Sequence, residues 1–340
     1  MTKRERVRAS IRRSGFDAIP WQFDLTGMVQ DKLKAYYHTE DLLTATDDHI
    51  VYVGSRPPQG STPADAGPGM TRDEFGAVWR RDSADRAVGD WGGLVSCPLK
   101  EPSLKGFHFP DGAAPGRWDH LPEIRRKYPD HYLVAFGNGL FEQAWALCGF
   151  ENYLAYLGTE QTFVEALTQK LADFSCAVTA QLKGLDADAI RFGDDWAFQR
   201  TLMMRGATWR RLLKEQYRRI YRAAREAGLT VMIHTCGNIT EILPDVIEIG
   251  VEVVHAFQPE AMDVAYCQKE FGKNVAFWGG LGSQSTLPNG TPQDVRREVL
   301  HRLDLFRDGG YILAPAGAAP TETPPENIDA IVQAAREQLS

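Results

Sequence analysis

An imidazole and a thiol two residues apart, in His234-Thr235-Cys236-Gly237, carry the most chemical content in this 340-residue chain. Alternate side chains share a face of an extended segment, so His234 and Cys236 point the same way. Imidazole nitrogen and thiolate sulfur are both good zinc ligands, and Gly237 lets the backbone turn closely behind them. Plain burial accounts for the same residues, because cysteine packs as a small apolar side chain and a histidine is often satisfied within a core. Two ligands do not complete a zinc site, so the spacing makes His234 and Cys236 metal-ligand candidates and leaves both readings open.

Carboxylates and a second imidazole stand at comparable places. Asp194 and Asp195 are adjacent in Gly193-Asp194-Asp195-Trp196. On extended backbone they point to opposite sides, so one faces a pocket as acid/base or substrate anchor, or one caps a helix. Glu142 is a further acid/base candidate, with a first-turn helix position as the other account of it. His255 could complete a metal site or touch substrate, or could be a buried histidine bonded to a backbone carbonyl. Asp24, Asn138, Gln258, Trp278 and Gln284 are candidate substrate-binding residues. No G-x-G-x-x-G, P-loop, G-x-S-x-G or H-E-x-x-H occurs, which argues against dinucleotide enzymes, NTPases, α/β-hydrolases and zincins.

These residues lie at the ends of short apolar runs. The runs are Tyr132–Phe136, Ala189–Phe192, Thr230–His234, Val251–Ala256, Asn274–Trp278 and Tyr311–Ala314, with an earlier strand at Ala18–Phe23. Helix-like stretches lie between them near 160–184, 207–227, 239–249, 260–270 and 291–305, and a last helix opens at Pro325. Strands alternating with helices indicate parallel βαβ units, and this many units predicts a (β/α)8 TIM barrel, an α/β fold. The loops after barrel strands form the active face. Residues 50–130 differ, with Gly54-Ser55-Arg56-Pro57-Pro58, Gly60-Ser61-Thr62-Pro63 and Ala113-Ala114-Pro115-Gly116 punctuating short β-like pieces at Val51–Val53 and Ala77–Arg80. This stretch reads as an inserted β-hairpin and loop region after the first strand, covering the mouth of a single barrel domain spanning 1–340.

Composition narrows the partners. A net charge of −7 with no long basic run argues against nucleic acid. No stretch approaches the ~18 apolar residues that span a bilayer, and the basic stretch Met1–Val7 has no apolar segment behind it, so it does not read as a secretory signal. Five widely spaced cysteines are no disulfide framework, so a cytoplasmic location is expected.

Further motifs extend the pattern. They are His234-Thr235-Cys236-Gly237-Asn238-Ile239, Gln258-Pro259-Glu260-Ala261-Met262-Asp263, Phe277-Trp278-Gly279-Gly280 and Leu287-Pro288-Asn289-Gly290-Thr291-Pro292, then Gly309-Gly310-Tyr311-Ile312-Leu313-Ala314-Pro315. With Gly139-Leu140-Phe141-Glu142 and Gly193-Asp194-Asp195 upstream, the chain resembles the uroporphyrinogen decarboxylase / cobamide-dependent methyltransferase superfamily over roughly residues 130–340. The resemblance implies a (β/α)8 barrel and two branches. Decarboxylases of that superfamily grip a tetrapyrrole with an Arg-rich N-terminal segment; the matching Ile19–Met28 stretch has no Arg, and without guanidinium forks there is nothing there to hold many carboxylates. The other branch implies a zinc-dependent methyltransferase moving a methyl group between a small substrate (methyl ether, thioether, amine or thiol) and a corrinoid protein. That branch implies Zn2+ on His234 and Cys236 and a later Cys. Here the corresponding loop, Pro315-Ala316-Gly317-Ala318-Ala319-Pro320, holds no thiol. Asp194, Glu142, His255 or Glu322 would then supply the third ligand. The alternative is a metal-free barrel lyase or hydrolase using Asp194 or Asp195 as acid/base.

Overall fold

The computed structural model describes residues 1–58, 66–80 and 93–339. The Gly60-Ser61-Thr62-Pro63 punctuation lies outside the described residues. Seven parallel strands form one curled sheet in chain order: β1 (Ile50–Val53), β5 (Tyr132–Gly137), β6 (Ala189–Gly193), β7 (Thr230–His234), β8 (Val253–Phe257), β9 (Ala276–Leu281) and β10 (Tyr311–Pro315). β2 (Met70–Arg72), β3 (Val78–Arg80) and β4 (Leu94–Ser96) form a separate antiparallel sheet.

The curled sheet closes through Trp21. The Gln22 amide donates to Leu313 O at 3.0 Å and the Leu313 amide to Pro20 O at 2.9 Å, while the His49 amide donates to Trp21 O at 3.1 Å. The first strand expected at Ala18–Phe23 is therefore a correction in length. Pro20 has no amide to donate, and the ladder shrinks to a parallel bridge of Trp21 with Leu313. With that segment the barrel has its eight staves. Val51–Val53 is a second correction. The apolar run Ile50-Val51-Tyr52-Val53 pairs in register with β5, Ile50 opposite Tyr132, and is a barrel strand instead of part of the inserted region. The excursion starts after Val53, and its β2–β4 sheet is the expected hairpin element.

Helix boundaries follow local chemistry. Thr291 caps Pro292–Leu305 with a reciprocal Asp294 contact, and Asp263 caps Val264–Phe271. The helix expected over 207–227 is two, Gly206–Leu212 and Lys214–Glu226.

Inside the barrel, Ile50, Tyr132, Val134, Ala189, Met232, Val253, Ala276 and Ile312 form one packed cluster. The N-terminal helix Lys3–Arg12 plugs the lower end with Val7 and Ile11. Side chains two residues further along each strand stand one level higher, at the mouth.

Candidate active site

The register of β6, β7, β8 and β9 sets the mouth. Gly193 pairs with His234, His234 with His255, and His255 with Trp278. Three aromatic side chains from adjacent strands therefore stand side by side on the inner face. A β-bulge between His255 and Phe257, with Ala256 at φ 56, interrupts the β8–β9 ladder just beyond His255. Such strained backbone costs of order 1 kcal/mol and persists where its surroundings hold it.

His234 Nε2 lies 3.7 Å from Cys236 Sγ and 3.8 Å from Asp195 Oδ1. Ligand atoms of Asp195, His234 and Cys236 all fall within 4.8 Å of one another. A tetrahedral zinc with bonds of about 2.0–2.3 Å sets its ligand atoms roughly 3.3–3.6 Å apart, so the trio needs only a small inward shift to hold such an ion. Each side chain is partly exposed, which leaves the cluster open to the mouth.

Arg191 Nη1 lies 2.9 Å from His255 Nδ1 and 3.3 Å from His255 Nε2, so the guanidinium, which can only donate, reaches either ring nitrogen. His234 Nδ1 lies 2.8 Å from His255 Nδ1, and one of these two nitrogens carries the proton between them. With that proton on His234 Nδ1, His234 Nε2 keeps its lone pair toward Cys236 and Asp195, the form a metal ligand requires. Burial and the neighbouring Arg191 charge hold both imidazoles below the usual histidine range, hence neutral. Burial and then the Asp195 charge push the Cys236 thiol up; a cation at the trio would reverse that.

Gly237 turns the loop. At φ 83, a Cβ there would meet Phe198 O at 2.5 Å and Ala197 O at 2.6 Å. Its amide donates to Gln258 Oε1 at 2.6 Å, and the Cys236 amide donates to Asp195 Oδ1 at 2.6 Å. Gln258 thus positions the His-x-Cys loop. Asp195, absent from the third-ligand candidates read in the sequence, is the carboxylate that joins the pair.

Asp194 points the other way. Its oxygens accept from the amides of Leu140 at 2.6 Å and Glu142 at 2.7 Å, and from Tyr217 OH at 2.6 Å. It caps the start of helix Phe141–Cys148 from another strand. A Cβ at Gly139 would lie 2.5 Å from Asp194 Oδ1, so only glycine admits the carboxylate there. Burial pushes Asp194 up to about 6 against the pull of its donors. Glu142 sits beside Asp194 and Asp195; burial, then those two charges, push it up to about 8, so it keeps its proton at neutral pH.

Asp24 Oδ2 accepts from Arg191 Nη1 at 3.2 Å and Tyr52 OH at 3.2 Å, and Gln22 Nε2 donates to Oδ1 at 3.0 Å. Trp278 packs against His255 with ring centroids 4.5 Å apart. Asn138 lines a separate cavity of about 190 Å³ with Pro57, Asp73, Phe75 and Gln143. Gln284 is exposed and donates to Gln199 Oε1 at 3.3 Å. Glu322 is exposed outside the trio. Arg191 and Tyr52 were missed in the sequence because each sits inside an apolar strand run. The inward position of residue 191, two before Gly193, is the signal that marks it.

Residues 119–338 match the family model for uroporphyrinogen decarboxylase (URO-D). Over 218 residues, 64% of this chain, the sequence is 24% identical to a methylated-thiol–coenzyme M methyltransferase of Methanosarcina mazei. It is 25% identical over 234 residues to a methylcobamide:CoM methyltransferase of Methanosarcina acetivorans. These matches span 56% and 66% of the two relatives' lengths. A solved methyltransferase from Methanosarcina mazei superposes with a TM-score of 0.75 over 100% of both chains at 17% identity, which shows the shared barrel fold.

Proposed function

The chain belongs to the uroporphyrinogen decarboxylase family, and we propose that within it this protein is a zinc-dependent methyltransferase. It moves a methyl group between a small substrate (a methyl ether, thioether, amine or thiol) and the corrinoid of a partner protein. The observation that carries this reading is the Asp195, His234 and Cys236 trio at the barrel mouth, with His234 Nδ1 turned away from it to His255 at 2.8 Å. The names of the curated relatives support a methyl transfer, and the methylcobamide name of the second supports the involvement of a corrinoid.

His234 Nε2, Cys236 Sγ and an Asp195 oxygen would hold the ion. A zinc ion bound there supplies Lewis acidity that polarises the substrate heteroatom. His255 would accept the His234 Nδ1 proton and so keep the His234 lone pair facing the ion, and Gln258 keeps the loop in place. The methyl group leaves without its bonding electron pair and passes to the reduced cobalt of the partner. The pair stays on the heteroatom, which takes the proton held by Glu142. In the reverse direction the ionised form of Glu142 receives the proton of a thiol as it accepts the methyl group. Asp24, after the Trp21 segment, and Trp278, on β9, would face the substrate. The chain acts as one barrel unit, with the inserted region beside its mouth.

Of the two carboxylates open to the metal-free alternative, Asp194 spends both oxygens on the helix start and Tyr217, which leaves Asp195 as its acid/base. No helix among the described residues is long and apolar enough to cross a membrane.

The test is elemental analysis of protein purified with added zinc, beside His234→Ala, Cys236→Ala and Asp195→Ala. The parent should hold about one zinc per chain, as one tetrahedral centre requires, and each variant should lose most of it with its circular dichroism unchanged. A metal-free parent, or full loading of Cys236→Ala, refutes the reading.

A further inference from the structure

The joint between the Trp21 segment and β1 leaves a cavity. The His49 amide donates to Trp21 O at 3.1 Å, and beyond that bond no backbone pair among the described residues joins residues 22–25 to β1. There the two segments part around a space of about 370 Å³. Leu42, Leu43 and Val51 give it an apolar wall, and Gln22, Asp24 and Asp48 a polar one. The donors around it are engaged with the wall itself. Gln22 Nε2 donates to Asp24 Oδ1 at 3.0 Å, Gln30 Nε2 to Leu25 O at 2.9 Å and Tyr52 OH to Asp24 Oδ2 at 3.2 Å. Thr46 Oγ1 has one proton for Leu42 O at 2.7 Å and Asp48 Oδ1 at 3.2 Å. What remains is acceptor. Gln22 is 2% exposed, and its bond to Asp24 fixes the amide so that Oε1, buried with no partner, is the end left over. Asp48 is 8% exposed and takes the Phe23 amide. Arg191 balances Asp24, but among the described residues no Lys, Arg or His lines the cavity beside Asp48. Lys3, whose charge reaches Asp48, pairs with Asp47 at 2.6 Å. Burial accordingly pushes the Asp48 carboxyl well above the usual range. An orphaned amide oxygen and an unbalanced buried carboxyl in one cavity are costly unless a cationic donor uses them.

We propose that this cavity is a second ligand site, one that takes a small primary ammonium ion with a short apolar tail. An ammonium group carries three N–H donors and no acceptor, which complements Gln22 Oε1, Asp48 and Asp24. Its charge balances Asp48. A tail of a few carbons covers the leucine and valine side chains, which an inorganic ion would leave wet. The partly exposed Leu42, Leu43 and Tyr128 border the cavity, so the approach lies beside helix Leu42–Ala45. Asp24 and Tyr52 are shared with the surroundings of Arg191, whereas Asp195, His234 and Cys236 lie elsewhere. The inference therefore stands whether or not the chain transfers methyl groups.

The experiment is calorimetric binding of three probes to the full chain at neutral pH: propylamine, which is protonated there, the equally long neutral propan-1-ol, and potassium chloride. A chelator is present throughout, so that no metal takes the amine. Parent, Asp48→Asn and Leu43→Trp are compared, with circular dichroism and melting as checks of folding. Asn keeps an oxygen for the Phe23 amide and removes the charge. Trp in place of the partly exposed Leu43 fills the cavity and leaves its acids untouched. The parent should bind propylammonium more tightly than the alcohol by about tenfold or more, the reach of charge-assisted bonds. That preference should vanish in Asp48→Asn, and Leu43→Trp should lose both organic probes. Equal binding of amine and alcohol by the parent, a preference that survives Asp48→Asn, undiminished binding by Leu43→Trp, or no binding of either organic probe overturns the inference. Asp48-dependent heat from potassium chloride with none from the amine overturns it too, since the ligand would then be an inorganic cation.

Discussion

Replacing Glu142 with Gln should stabilise the metal-free protein at neutral pH while removing its proton donor. In the folded chain Glu142 is held up at about 8 by burial and by Asp194 and Asp195, against an ordinary value of 4.5. The folded state therefore binds this proton more tightly than the unfolded state. Stability from this group is intact at low pH, declines as pH rises above 4.5, and levels off past about 8. Between about pH 5 and about pH 7.5 the loss is roughly 3 kcal/mol, since each shifted unit corresponds to about 1.4 kcal/mol. Gln matches the protonated acid in shape and cannot ionise. Glu142→Gln should thus be close to neutral near pH 5 and more stable than the parent by roughly 3 kcal/mol near pH 7.5. Asp194 titrates with Glu142, and its shift to about 6 acts in the same direction at the acid end of the window. The assay is urea unfolding in chelator at both pH values, read as the difference in midpoint between the two proteins. Parallel pH dependences would show that Glu142 ionises normally and would refute its role as a neutral-pH acid. A variant that gained stability and kept full transfer activity would preserve the electrostatics and remove the chemistry assigned to it.

Two further substitutions separate support from chemistry. Tyr217→Phe leaves Asp194 Oδ2 without the 2.6 Å donor and Trp196 Nε1 without the 2.7 Å acceptor. It should cost roughly 2 kcal/mol in denaturant titration, the usual penalty for stranding buried polar partners, with zinc uptake unchanged. A large loss of metal at full stability would mean that Asp194 belongs to the centre. Gly237→Ala places a Cβ 2.5 Å from Phe198 O at φ 83. The loop must move, and Cys236 with it, so zinc affinity should drop about tenfold or more while the barrel melts within a few degrees of the parent. Unaltered affinity in a competition titration with a chelating dye would show that the loop tolerates that shift.

The barrel was legible because its staves β5 to β10 are apolar runs of strand length separated by helical periods. The first two staves were not. Trp21 holds only a bridge, and Pro20 erases the ladder that a strand pattern announces. Ile50–Val53 is a true strand, but the Gly and Pro residues that follow pulled it into the insertion. The His-x-Cys pair was visible because period-two geometry is local. The choice between Asp194 and Asp195 was not, since adjacent residues on extended backbone face opposite sides and only the packing of helix Phe141–Cys148 decides which one is taken as a cap. Arg191 was invisible for a similar reason: one charge in an apolar strand gives no sign of which aromatic rings will cover it.

Asp195 in place of a later thiol changes how the proposed centre is built. With thiolate, carboxylate and neutral imidazole, the donor set carries the same formal charge as two thiolates and an imidazole, so charge alone does not tune the ion. The difference lies in softness, because a carboxylate oxygen donates less electron density than sulfur and leaves a zinc ion more acidic. It also lies in position. A thiol after β10 would reach across the mouth, whereas Asp195 comes from the loop after β6, next to β7. The pairing continues past both strands, with the Asp194 amide donating to His234 O at 2.9 Å and the Cys236 amide to Asp195 at 2.6 Å. All three ligands therefore stand at the ends of two hydrogen-bonded strands, one end pinned by the Asp194 cap. Their spacing depends on the β6–β7 register and does not depend on the Trp21 seam, where the barrel has its fewest ladder bonds. The seam reaches the centre only through Asp24, whose carboxylate accepts from Arg191 Nη1 at 3.2 Å.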